Sequence, residues 1–196
     1  MIHTGAKRLA ALLATKNIIN PSQIAIYAYG LELIISGSIG IMLVIVVSAI
    51  SRFSLLWIPY LFGYILFRTN AGGFHAKSHK SCILIFLTIY EITLLMRYVL
   101  LLFPIFPLII SSVILIPVIL YAPLDVERNP LSSLHKKKRR IFSIIISIFN
   151  VLLAVICILF QLHSNWLTVY YLGVMAASLL FIFAIIQLKL ERRKQK

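Results

Sequence analysis

The stretch HKKKRRIFSIIISIFNVLLAVICILFQ, residues 135–161, sets a run of basic side chains directly against an unbroken apolar segment. The apolar part, Ile141–Gln161, is about as long as the ~20 residues a helix needs to cross a bilayer. Lys and Arg accumulate on the cytoplasmic side of membrane proteins, so these residues predict both a span and its direction.

Five further apolar segments lie outward from it: Ile24–Ile50, Phe53–Phe67, Cys82–Phe103, Ile105–Tyr121 and Trp166–Leu188. The chain of 196 residues is 61% hydrophobic and 12% charged, with a mean hydropathy of +1.01. Soluble domains carry roughly 25% charged residues, so this composition is that of an integral membrane protein. A soluble all-helical core is excluded by the number and length of the apolar runs. Phe53–Phe67 is the shortest segment and contains Pro59. It spans only if Arg68 snorkels to the interface and the helix runs on toward Ala71.

Charge then fixes the layout. All of the 19 basic residues except Arg52 and Arg97 fall in the N-terminal arm, the loops after the second and fourth segments, or the C-terminal tail. Those four regions share one side if all six segments cross. The predicted fold is an all-α integral membrane protein with six transmembrane helices and both termini cytoplasmic. Residues 1–23 form an N-terminal interfacial part. Residues 24–188 form the membrane domain, with cytoplasmic loops 68–81 and 122–140, and residues 189–196 form a basic tail. Ile2, Ala6, Leu9 and Leu13 share a helical face, which suggests an amphipathic helix in the inner interface; a disordered basic arm is the alternative. No small-residue cleavage site marks the start as a secretory signal. The net charge of +14 is explained first by topology, so nucleic acid is not an expected partner, whereas anionic membrane lipid is.

The first inner loop, RTNAGGFHAKSHKSC (residues 68–82), gathers most of the reactive chemistry. Gly72 and Gly73 allow a sharp turn or a close approach. Cys82 stands at the membrane edge, where Lys77, Lys80, an imidazolium and a helix N-terminus each favour the thiolate, the form in which cysteine attacks. Cys157, by contrast, lies in a uniform apolar run and reads as packing. Spacing alone slightly favours His79 over His75 as the partner of Cys82, because three residues share a helix face. His75, His79 and Cys82 would also suit zinc, but no fourth ligand stands at motif spacing. A basic loop with a purely topological role fits these residues as well.

The string RTNAGGFHA (Arg68–Ala76), followed by Cys82 seven residues after His75, resembles the signature of the accessory gene regulator B (AgrB) family. YGLE (Tyr29–Glu32) and YAPLDVERNPL (Tyr121–Leu131) resemble further segments of that family, so the likeness covers essentially the whole chain. The resemblance implies a bacterial membrane endopeptidase that processes the precursor of a cyclic quorum-sensing peptide. It implies Cys82 as nucleophile and His75 as base, which displaces the local preference for His79 and leaves that residue a tuning neighbour or a surface group. The implied partner is a short peptide with an amphipathic N-terminal part, a pheromone core and an acidic tail. No metal and no cofactor are implied.

Around that pair, Arg68, Gly72 and Gly73 are candidate supporting groups. Lys136, Lys137, Lys138, Arg139 and Arg140 are candidates for holding the acidic tail or lipid headgroups. Glu32, inside the first segment, either orients His75 or pairs with a basic residue for packing. Glu91 and Arg97 read as structural. A homodimer suits so small a bundle, though no interface motif marks one. A permease or scaffold whose loop at 68–81 is not catalytic, or a protease that releases linear peptides, are the competing expectations.

Overall fold

The computed structural model describes residues 2–51, 55–73, 79–103, 105–124, 133–162 and 164–194. Among them the chain is entirely helical: α1 (Ile2–Thr15), a short 3-10 turn (Pro21–Gln23), α2 (Ile24–Ile50), α3 (Trp57–Ala71), α4 (His79–Leu100), α5 (Phe106–Tyr121), α6 (Ser133–Leu159) and α7 (Asn165–Lys194). Four stretches are long and apolar enough to cross a membrane: Pro21–Ile50, Lys80–Leu100, Ser133–Leu159 and Asn165–Leu190. That agrees with a membrane protein. α5 is apolar but shorter, and α3 has 15 residues, about 22 Å of helix against a hydrocarbon core of about 30 Å.

The helices extend beyond the apolar segments at their basic ends. α6 begins at Ser133, so Lys136–Arg140 form helical turns where the sequence suggested loop, and α7 carries the basic tail on to Lys194. Lys and Arg are good helix formers, and hydropathy therefore marks where the membrane stops rather than where the helix stops. α3 does run on to Ala71, and Gly72 ends it, donating its N–H to the Arg68 carbonyl at 3.0 Å.

α7 is the central helix and packs against α3, α4 and α5. Its closest partner is α3, because glycines face each other's neighbours at the crossing. A methyl group on Gly63 would overlap the carbonyl oxygen of Tyr170, and one on Gly173 would overlap that of Tyr60. Lipid tails are as apolar as any side chain, so helices in a bilayer associate through close backbone approach and polar contacts instead. The same logic governs α6. Its buried residues are Ser143, Ser147, Asn150, Ala154 and Cys157, while Ile145, Phe149, Leu152 and Ile156 face outward. Asn150 ties α6 to α7 by accepting from the Tyr170 hydroxyl at its Oδ1 and from the Tyr171 hydroxyl at its carbonyl, both at 2.9 Å. On the other flank, the Ser48 and Tyr90 hydroxyls are hydrogen-bonded between α2 and α4.

α1 packs along α2. Ala6, Ala10 and Ala14 are the buried positions, and Leu9 is exposed. Alanine carries no bulk, so this face lets the two helices approach, leaving Leu9 and Leu12 to point away from the contact. Arg97 is buried in α4, where it donates to the hydroxyl of its neighbour Tyr98 and lies 4.3 Å from that ring.

Candidate functional site

The sequence signature converges on one end of the bundle. Arg68 is three residues from the end of α3, Cys82 is the fourth residue of α4, and Tyr121 ends α5. Two segments far apart in sequence meet here: the Leu124 amide donates to the Ala71 carbonyl at 3.1 Å, joining the chain after α5 to the turn after α3. Lys189 of α7 reaches the same end, donating to the Tyr121 hydroxyl at 3.0 Å with its ammonium 4.9 Å from the ring centroid. Arg140 of α6 donates to the Ile119 carbonyl at 3.3 Å. The basic ends of α6 and α7 thus both meet the end of α5, which leads into the chain that joins the turn carrying the glycines.

Gly72 has φ +85 and ψ −170, a backbone conformation open essentially to glycine alone. It lies against Leu124, whose carbonyl oxygen would be 3.2 Å from an added methyl group. Gly72→Ala is therefore expected to cost about 1–3 kcal/mol, seen as a lower unfolding temperature of the detergent-solubilised protein. An unchanged temperature would mean that the turn adopts another conformation. Gly73 has a different role, since the Arg68 guanidinium lies over it, with Nη1 3.5 Å from where a side chain would begin.

Cys82 is half-buried and carries a free thiol. Its place in α4 puts it near the positive end of the helix dipole. It lies within electrostatic range of Tyr64 on α3. Tyr64 in turn accepts a hydrogen bond from Arg68 Nη1 at 2.8 Å and packs on Phe86, one turn beyond Cys82, with ring centroids 4.8 Å apart. Rings therefore bridge α3 and α4, and Tyr64 connects Arg68 to the surroundings of Cys82.

His75 and Lys77 lie outside the described residues, as do Asp125 to Ser132. His79 is the first residue of α4, and its side chain is likewise outside the description. Glu32 receives a partner that sequence did not suggest: His3 of α1, with Nδ1 2.9 Å from the carboxylate. His3 is largely exposed whereas Glu32 is nearly buried, so the contact fastens α1 to α2. Lys136 to Arg140 are exposed on the first turns of α6. Among the described residues, no three His, Cys, Asp or Glu side chains gather as metal ligands.

Tyr64 is the residue that sequence reading passed over. It sits in an apolar run, and only its position one turn before Arg68, on the same helix face, would have pointed to it.

The model of the accessory gene regulator B family matches residues 6–188, nearly the whole chain, and the chain belongs to that family. The family acts in quorum sensing, where its members process a precursor peptide. No curated protein and no solved structure matches the chain.

Proposed function

We propose that this member of the AgrB family is a membrane cysteine endopeptidase whose nucleophile is Cys82 and whose base is His75. The observation that carries the proposal is the position of Cys82: a half-buried thiol at the start of α4, at the same end of the bundle as Arg68, the Gly72–Gly73 turn and the basic ends of α6 and α7. The reading includes six spans in a bacterial cytoplasmic membrane, with both termini and the active site on the cytoplasmic side. In the short helix α3, Trp57 and Arg68 near its opposite ends would serve as interfacial anchors.

The chemistry follows from the groups. His75 takes the thiol proton, and the thiolate attacks the carbonyl carbon at the junction of pheromone core and acidic tail. The C–S bond forms as the carbonyl becomes an oxyanion. Collapse breaks the C–N bond, and the tail leaves as an amine carrying the proton from the imidazolium. The core remains as a thioester on Cys82. A Cys or Ser side chain within the core then attacks the thioester carbonyl and releases Cys82, closing a thiolactone or lactone. An acyl-enzyme at the bilayer edge is partly shielded from water, which favours closure over hydrolysis.

The cations have a part in this scheme. Lys136–Arg140 on α6 and Lys189 on α7 face the compartment from which an acidic tail would approach, and anionic lipid would gather at the same surface. Replacing Lys136, Lys137 and Lys138 by glutamine is expected to raise the half-saturating precursor concentration about tenfold, equivalent to roughly 1.4 kcal/mol.

The test uses the full chain in vesicles containing phosphatidylglycerol, with a precursor bearing a different epitope at each end. Release of the tail epitope, with the N-terminal epitope held on the protein in a hydroxylamine-sensitive adduct, is the expected result. Tail release without any adduct across a quenched time course would point to direct hydrolysis and sink the thioester route.

A further inference from the structure

We propose that Tyr64 is a positioning residue for the reaction, holding the Arg68 guanidinium beside Cys82 so that its charge meets the oxyanion as it forms. The inference rests on the reading of Cys82 as nucleophile and adds to it a residue deep in the apolar part of α3.

Three contacts define the role. Arg68 Nη1 donates to the Tyr64 hydroxyl at 2.8 Å, and its Cζ lies 5.5 Å from the Tyr64 ring centroid. The same guanidinium lies over Gly73, two residues before His75. The Tyr64 ring is fixed in turn. It is buried, stacks on Tyr60 at 6.1 Å between centroids and packs on Phe86 of α4 at 4.8 Å. Cys82 and Phe86 are one turn apart on α4, and Tyr64 and Arg68 are one turn apart on α3. The two helices run in opposite directions along the chain order, so fixing Tyr64 against Phe86 sets Arg68 toward the level of Cys82.

An arginine at the end of a span has a long, flexible side chain and a ready path to the headgroups. The Tyr64 hydroxyl supplies a reason for it to bend back toward the bundle instead. A guanidinium held there before the reaction needs no reorganisation when charge develops on the carbonyl oxygen, which is the condition under which fixed cations contribute most. Tyr60, beyond Tyr64, is buried and packs edge-on against Tyr90 of α4, with ring centroids 4.7 Å apart. The ring stack is therefore held on its far side as well.

Tyr64→Phe keeps the ring and its packing and removes only the hydroxyl that holds Arg68. In the full chain reconstituted in vesicles, this variant is expected to lower kcat for tail release by roughly 10²-fold, with KM and unfolding temperature close to wild type. Arg68→Gln is expected to lower kcat by at least as much. The decisive variant is the double one: if Tyr64 acts through Arg68, Tyr64→Phe costs nothing further once Arg68 is gone. Losses that multiply would overturn the proposal. So would a Tyr64→Phe protein within about threefold of wild type, or one whose activity falls only in step with its folded yield. Cys82→Ala, measured beside them, separates two failures. Cleavage that survives without Cys82 removes the nucleophile reading. Cleavage lost there but kept in Tyr64→Phe removes the role of Tyr64 alone.

Discussion

Replacing Cys82 by alanine is expected to abolish tail release and the hydroxylamine-sensitive adduct together, lowering turnover by at least about 10⁴-fold. The size of the effect follows from the route. With no sulfur at position 82 there is no acyl-enzyme, and a direct attack by water would need a base and an oxyanion environment arranged for a different nucleophile. His75→Ala is expected to cause a loss of similar scale, and the double variant no greater loss, because on the proposed route nucleophile and base act as one unit. Cys157→Ala serves as the control. That thiol is also free but is packed in the interior stripe of α6 with Ser143, Ser147, Asn150 and Ala154, and its removal should leave turnover within about threefold of wild type. Turnover that persists in Cys82→Ala and disappears in Cys157→Ala would reverse the assignment.

The parts of this fold that were legible in the sequence are those that hydropathy reports directly. The bounds of α2 coincide with the apolar segment Ile24–Ile50, and those of α5 nearly so, because in both cases the helix and the apolar run end together. The basic run after His135 misled in one respect: its residues suit cytoplasm, yet they also suit helix, and α6 continues through them. The alanine face by which α1 meets α2 is not marked by hydropathy, because helices meet most closely where side chains are small. At the site, residues 68–82 carried their chemistry openly in glycines, histidines and a cysteine. Tyr64 did not, because an aromatic residue inside an apolar segment looks like lipid-facing bulk until its neighbour one turn on is known to be Arg68. Glu32 was recognised as an ionisable group needing a partner, but its contact with His3 depends on α1 folding back along α2, which no local pattern encodes.

The crossing of α3 and α7 leads to the second large effect. Gly173→Leu is expected to prevent the bundle from assembling, so that little or none of the variant elutes as a monodisperse species after mild detergent extraction. The backbone leaves no space for a side chain at this position. A Cβ on Gly173 would overlap the Tyr60 carbonyl oxygen and stand 3.1 Å from the Tyr64 nitrogen, and these are backbone atoms that cannot rotate away. The facing contact of Gly63 on Tyr170 means that moving the helices apart to relieve one clash also opens the other. Even Gly173→Ala, which adds one methyl group, should cost about 1–3 kcal/mol as overpacking. Gly37→Ala gives the comparison: that glycine is exposed on α2 with nothing within 4 Å of an added Cβ, so alanine there should be neutral or slightly stabilising through helix propensity. A well-behaved Gly173→Leu protein would show that α3 and α7 do not cross this closely. It would also withdraw support from the site, because α3 carries Tyr64, Arg68 and the Gly72 turn, and its place beside α4 is held by α7, which packs on both. Gly173 would thus act on the proposed site from a distance, by setting where α3 carries Tyr64 and Arg68.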